Sequence, residues 1–183
     1  MKKHFIAIAM LITLSLATSA QEPRHGIRTG TVQQVDDHAK TITIKSEDGT
    51  EHTLQIEART KFHGVHGTSR NTTDTIRGLK PGTQVAAHYT AAGTAENAIE
   101  IDNIGPDGLK SIEATITRLD RGEKSLTVQT ADGSNQTFHM SDSTARYAAE
   151  QFDQGSASSL KVTLYYSGHK EGHAVAHYFK KAM

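Results

Sequence analysis

The sequence predicts a mainly β protein built from two tandem five-stranded OB-like barrels. Three observations support this: an internal repeat without gaps, alternation of apolar and polar residues, and an Asp-Gly turn at the same place in each copy. At an offset of 84 residues, segment 41–56 aligns with 125–140, and Ile42 and Ile44 pair with Leu126 and Val128. Matched apolar positions indicate two copies that bury the same face.

The first 20 residues have the features of a secretory signal peptide. Lys2 and Lys3 precede an apolar run over residues 5–17, and small residues follow up to Ala20. This run is shorter than the roughly 20 residues that a membrane-spanning helix needs. We therefore expect cleavage near Ala20, which leaves a periplasmic or secreted protein with no membrane span in its mature form.

The first OB-like repeat is predicted to cover residues 27–104. Its first strand carries Val32 and Val35 three positions apart, an odd step that predicts a β-bulge. Two alternating strands follow, and Asp48-Gly49 between them is typical of a tight type I′ hairpin turn. A long polar loop is expected next, and the last strands are predicted at residues 85–90 and 97–101.

The second OB-like repeat is predicted to cover residues 111–183, after a Gly- and Pro-containing link at 103–111. It repeats the first three strands but differs after them. The segment from Asp142 to Phe152 begins with cap-forming residues and continues with good helix formers, which predicts a short helix between strands 3 and 4. The final strands are expected at residues 162–167 and 173–177.

The order of elements in each copy favours a closed barrel. Three strands as a meander, a loop or helix, and two more strands is the order found in OB-type barrels. Closure also removes the exposed strand edges that an open five-stranded sheet would present to other chains.

The repeat also resembles a bacterial family of exported proteins known only as a domain of unknown function. The pattern G-T-V-x-x-V-D, I-T-V, D-G-T and L-K-P-G-x-x-V is met from Gly30 to Val85. The second copy departs from it, with Glu113-Ala114-Thr115-Ile116 at the opening and no Leu-Lys-Pro-Gly. The resemblance implies a small OB-like barrel in the cell envelope, and it brings no activity, cofactor or catalytic residue.

Composition excludes several classes of function. The chain has no cysteine, which excludes disulfides, thiol nucleophiles and thiolate metal sites. Loss of Lys2 and Lys3 leaves 18 of the 20 basic residues against 20 acidic ones, so no basic surface for nucleic acid is expected. In each copy the second and third predicted strands form a two-stranded ribbon. The outward face of this ribbon is rich in Thr and Gln, which suits an envelope protein or glycan as the unknown partner.

Histidine is the unusual residue type, with eleven copies in the chain. His63 and His66 lie in the expected long loop, where two imidazoles three positions apart can converge on one metal ion. A third ligand is not readable from the sequence, although His38, His52 or His88 are candidates. Copper, nickel or zinc would be the metals for such a pair.

His169, His173 and His177 form a second candidate metal set. On a helix their spacing of four would place them on one face, but on a strand four residues span about 13 Å, too far for one ion. The repeat favours the strand, with His177 equivalent to Ile101 and packed at a barrel end. The metal prediction for this set therefore depends on helical structure.

No catalytic residues are predicted. No sequence template for an active site fits, although a triad would converge only in space. We therefore expect a non-enzymatic binding or structural module of unknown ligand, with a periplasmic metal-binding protein that uses histidine clusters as the alternative.

Overall fold

The computed structural model describes residues 24–65, 76, 78–152, 159–168 and 173–182. The predicted signal peptide, residues 1–20, lies outside these ranges. The elements within them are β1 Arg24–Asp36, β2 Thr41–Lys45, β3 Glu51–His63, β4 Gln84–Ala92, β5 Ala95–Asn103, β6 Lys110–Asp120, β7 Ser125–Thr130, β8 Asn135–Met140, α1 Asp142–Gln151, β9 Lys161–Ser167 and β10 Val175–Lys181. None of the helical segments described has the length and apolar character to cross a membrane.

The strands form two closed barrels with the same connectivity. The first has the order β1-β2-β3-β5-β4 and the second β6-β7-β8-β10-β9. In each barrel the third and fifth strands pair in parallel, and the other neighbours pair antiparallel. The predicted fold class, two OB-like barrels in tandem, is confirmed.

The registers of the two barrels show the same repeat. Thr41 pairs with Gln55 in the first barrel, and Ser125 pairs with His139 in the second, again at an offset of 84. The predicted bulge is present in both copies, after Val32 and after Ile116.

Each barrel encloses its own apolar core, because the inward side chains of alternate strand positions converge there. Complete burial of one such Ile, Leu or Phe side chain stabilises the fold by about 1.5–3 kcal/mol. The first core includes Val32, Ile42, Ile44, Leu54, Ile56, Ile76, Val85, Ala87 and Ile101. The second includes Ile116, Leu126, Val128, Phe138, Met140, Val162, Leu164, Ala176 and Phe179.

The hairpin turn differs from the predicted type I′ turn. Gly49 has a positive φ of 84°, but the preceding Asp48 does not have positive φ, as a type I′ turn would require. The Gly49 N–H donates to the Ser46 carbonyl, and the Asp48 carboxylate accepts from the Thr50 N–H. The Asp side chain therefore stabilises a longer turn in which only the glycine is left-handed.

The third strand is longer than predicted. Residues 61–63 were expected in a polar loop, but they pair with β5 after an irregularity between Ile56 and Lys61. Thr60 is buried there, and its hydroxyl donates to the Ala98 carbonyl. This hydrogen bond stabilises the bulged segment and lets β3 continue to His63.

The predicted helix of the second copy is confirmed as α1. Ser141 caps it, and its hydroxyl accepts from the Thr144 N–H at 3.2 Å. The end of the chain is a strand, as the repeat predicted, but the expected equivalence is wrong. Ala98 and Ala176 hold the same position in the parallel pairings, so His177 corresponds to Ile99 and not to Ile101.

Candidate metal centre

One group of metal-ligating side chains stands out among the described residues, and it lies between the two barrels. His63, Glu100 and Asp102 come from the first barrel and His177 from the second. One donor atom from each of the four residues lies within 4.8 Å of the other three. The cluster therefore joins the two copies at one point.

His63 is placed by the way β3 ends. The next residue, Gly64, has a φ of 66°, and a Cβ there would lie 2.7 Å from the Leu109 nitrogen. Only glycine fits this left-handed position against the backbone. The turn leaves the His63 side chain 27% exposed, so this histidine connects the cluster to solvent.

Glu100 and Asp102 are positioned by strand alternation on β5. Ile101 between them points into the first core, so the two carboxylates share the opposite face. Both side chains have zero exposure. Glu100 Oε2 and Asp102 Oδ2 are buried without a hydrogen-bond partner, an arrangement that is costly for a carboxylate.

His177 lies at a bulge of β10, between the residues that pair with Tyr165 and Tyr166. Its Nε2 accepts from the Ser167 hydroxyl at 2.8 Å, so both ring nitrogens have partners. Its backbone carbonyl accepts from His88 Nε2 of the first barrel at 3.1 Å and from the Thr144 hydroxyl of α1. These contacts hold the imidazole against the first barrel.

Four distances define the cluster. His63 Nδ1 lies 2.9 Å from Asp102 Oδ1 and 3.4 Å from Glu100 Oε1. His177 Nδ1 lies 3.2 Å from Glu100 Oε1 and 3.8 Å from Asp102 Oδ1. The two imidazole rings have centroids 3.9 Å apart. Each histidine thus reaches both carboxylates through the same ring atom.

The groups shift one another's pKa values. Burial disfavours a charged His63, but hydrogen bonds with Asp102 and Glu100 outweigh it and raise the pKa of His63 to about 9. Burial also opposes ionisation of Glu100, yet hydrogen bonds from His177 and His63 hold the Glu100 pKa below its ordinary range. Burial raises the pKa of Asp102 to about 7, against the hydrogen bond from His63. Burial lowers the pKa of both His177 and His88.

The structure brings together one histidine from each predicted set. His63 and His177 meet in the cluster, whereas His66 and His169 lie outside the described residues. His173 is exposed and is not one of the four residues of the cluster. His177 lies in a strand, as the repeat predicted, so the helix that a shared site for the second set would have needed is not formed there.

The three histidines that the sequence offered as a third ligand lie in different parts of the structure. His88 Nε2 lies 3.6 Å from Asp102 Oδ2, at the edge of the cluster. His38 is 99% exposed beside Asp37, and His52 pairs with Ile44 in the first ribbon. Only His88 of these three is in the neighbourhood of the site.

Sequence reasoning missed both carboxylates. Glu100 and Asp102 alternate with apolar residues in a strand whose other face is core. Two acids on the buried β5 of a closed barrel were a usable signal, because a buried carboxylate needs a partner.

The chain has little similarity to known proteins. No protein-family model matches the chain, and no curated protein sequence matches it. The family resemblance noted above therefore stays a prediction, while the five-stranded barrel that it implied is present.

Solved structures show limited likeness. Apo-CusF from Escherichia coli is 21% identical with a TM-score of 0.34, covering 50% of this chain and 100% of its own. CusF-Ag(I) from the same organism has the same identity and TM-score, covering 45% and 95%. The CSD456 region of drosophila Unr is 15% identical with a TM-score of 0.35, covering 88% of this chain and 63% of its own. These likenesses are too weak to carry an argument about function.

Proposed function

We propose that this chain is an exported metal-binding protein that holds one divalent ion between its two barrels, with Zn²⁺ as the ion that fits best. The observation that carries the proposal is the convergence of two imidazoles and two buried carboxylates on one point. The leader-like residues 1–20 support export.

The spacing of the donor atoms suits a tetrahedral ion. Zinc bonds of about 2.0–2.1 Å to nitrogen and oxygen place neighbouring ligand atoms about 3.3 Å apart. The four separations between His63 or His177 Nδ1 and the carboxylate oxygens are 2.9, 3.4, 3.2 and 3.8 Å, centred on that value.

The charges of the cluster also suit a dication. Two buried carboxylates bring two negative charges when both ionise, and Glu100 Oε2 and Asp102 Oδ2 have no hydrogen-bond partner. A divalent ion would neutralise the pair and take the place of the proton that His63 holds.

The tautomers needed for metal binding are supported by the surroundings. His177 would bind through Nδ1, and its Nε2–H would then donate to the Ser167 hydroxyl, 2.8 Å away. A hydrogen bond to the far nitrogen of a ligating histidine fixes its orientation and raises its basicity.

The types of donor select among metals. Nitrogen and oxygen donors favour Zn²⁺, Ni²⁺, Co²⁺ and Cu²⁺, and soft Cu⁺ or Ag⁺ would instead need thiolate or thioether ligands. The tetrahedral spacing favours Zn²⁺ over Cu²⁺ and Ni²⁺, which prefer tetragonal sites.

Calorimetric titration of the metal-free protein tests the proposal. Wild type should bind one Zn²⁺ per chain, and His63→Ala should weaken binding by about 100-fold because it removes one of four ligands. The matched control is His38→Ala, which removes a histidine with a fully exposed side chain and should leave the affinity unchanged. Absence of binding to Zn²⁺, Ni²⁺ and Cu²⁺, or equal affinity in His63→Ala, would contradict the proposal.

A further inference from the structure

Ser167 is part of a second arrangement that uses the same histidine. Its hydroxyl lies 2.8 Å from His177 Nε2, and His177 Nδ1 lies 3.2 Å from Glu100 Oε1. Two hydrogen bonds therefore connect a hydroxyl to an imidazole and the imidazole to a carboxylate. This is the hydrogen-bond order of a nucleophile, its general base and the acid that orients the base.

The local fold fixes Ser167 in this position. Ser167 ends β9 and pairs with Val175 at the start of β10, which brings it next to His177. Gly168 follows with a φ of 97°, and a Cβ there would lie 2.8 Å from the His173 carbonyl oxygen. The serine is therefore held at a tight corner, and its side chain is only partly buried.

The carboxylate comes from the other barrel. Glu100 is completely buried on β5 of the first copy, and it contacts His177 across the boundary between the barrels. The three groups are thus assembled only when the two copies are packed together, as the metal ligands are.

We propose that Ser167 is a nucleophile toward carboxylic esters in the metal-free protein, with His177 as its base and Glu100 as the group that orients His177. The Ser167 oxygen bonds to the ester carbonyl carbon while its proton moves to His177 Nε2. The bond to the alcohol oxygen then breaks, and the alcohol leaves with that proton. Water, deprotonated by the same nitrogen, hydrolyses the acyl-serine and restores the hydroxyl.

Zinc and the nucleophile would compete for the same atoms. A metal bound to His177 Nδ1 and Glu100 Oε1 replaces the hydrogen bond that orients the base. This competition rests on the proposed function, but the reactivity of Ser167 in metal-free protein does not depend on it.

The test is covalent labelling of the full chain, freed of metal with a chelator, by a fluorophosphonate probe. The Ser167 oxygen would displace fluoride from phosphorus, and the proton would pass to His177. We expect one adduct, located on Ser167 by peptide mass spectrometry, and at least tenfold less labelling of the urea-unfolded protein. An adduct on another residue, or equal labelling of folded and unfolded protein, would overturn the proposal.

Matched serine variants add a second measurement with p-nitrophenyl acetate. Ser167→Ala should lower nitrophenol release at least tenfold, with folding checked by circular dichroism. Ser134→Ala is the control, since the Ser134 hydroxyl lies 2.8 Å from a carboxylate oxygen of Asp132 in an exposed turn. Unchanged release in Ser167→Ala would overturn the proposal, whatever the affinity of the cluster for zinc.

Discussion

The two barrels have the same strand connectivity, but their side chains differ at the strand pairs where the barrels meet. In the first barrel β4 and β5 carry His88 opposite Glu100. In the second barrel the equivalent pair on β9 and β10 is Tyr165 opposite Tyr178. In the first pair Glu100 belongs to the cluster of histidines and carboxylates and His88 lies at its edge. The two tyrosine rings instead stack on each other with centroids 5.9 Å apart.

The bulge next to these pairs differs as well. Ile99 occupies it in the first copy and His177 in the second, each beside an irregularity in the pairing. His177 reaches across to Glu100, and no histidine of the first copy stands at the matching place. Among the described residues, the candidate metal cluster therefore lies where the two copies differ and not where they agree.

Making the second bulge resemble the first should have the largest effect. His177→Ile places the side chain type of Ile99 at the equivalent position and removes one of the four proposed metal ligands. We expect zinc affinity to fall by about 100-fold or more, measured by calorimetry. Retention of wild-type affinity would show that the bulge histidine is not a ligand.

The stability of the metal-free protein should depend on pH through the first barrel. The folded pKa of His63 is raised to about 9, above its ordinary value near 6.5, so its stabilisation is complete below pH 6.5 and lost as pH rises through 9. Burial raises the pKa of Asp102 to about 7, so Asp102 also makes the protein less stable as the pH rises, in a range below that of His63. We expect a loss of at most about 3 kcal/mol between pH 6.5 and 9 in urea unfolding.

His63→Ala provides the control for this pH profile, because it removes the group with the raised pKa and should flatten the decline. Burial raises the pKa of Tyr178 in the second barrel above its ordinary value of 10.0, so that tyrosine does not titrate in the same window. If the stability of His63→Ala declines with pH as much as that of the wild type, a group other than His63 causes the pH dependence.

Two turns of the first barrel differ in backbone packing: the turn after β3 is tight at Gly64, and the turn between β2 and β3 is open at Gly49. Gly64→Ala should destabilise the protein by about 2 kcal/mol, because its Cβ would meet the Leu109 nitrogen in addition to the strain of positive φ. Gly49→Ala is the matched change, with a φ of 84° and open space around the Cβ, and should cost about 1 kcal/mol. Equal costs in chemical denaturation would mean that the turn adjusts to a side chain after His63.

The smallest effect is expected where the copies agree. The hydroxyls of Thr43 and Thr53 lie 3.1 Å apart across the first ribbon, and those of Thr127 and Thr137 lie 3.0 Å apart across the second. Thr43→Ala and Thr127→Ala should each cost about 0.5 kcal/mol, measured by urea unfolding. Clearly unequal costs would indicate that the two ribbons are not equivalent.

Local patterns were enough to predict the barrels. The inward face of the strands was predicted from the alternation in Ile42-Thr43-Ile44 and in its repeat, Leu126-Thr127-Val128. The spacing of Val32 and Val35 predicted a bulge that both copies contain. These features depend on neighbours in sequence, so a single chain displays them directly.

The candidate site depends on distant residues and was only partly predictable. His63 and His177 were identified by residue type, but their meeting requires two barrels to pack in one orientation, which no local pattern encodes. The position of His177 was misassigned by two residues because the last hairpins of the two copies differ in length: the paired residues Tyr166 and Ala176 are ten positions apart, whereas Tyr89 and Ala98 are nine apart. Glu100 and Asp102 were missed, although their place in a buried strand was visible.

Anomalous diffraction at the zinc edge, from crystals of the zinc-loaded protein, would locate the ion. We expect one strong peak between the barrels, about 2.0–2.2 Å from His63 Nδ1, His177 Nδ1 and an oxygen each of Glu100 and Asp102. A peak at exposed histidines alone, or none between the barrels, would contradict this expectation.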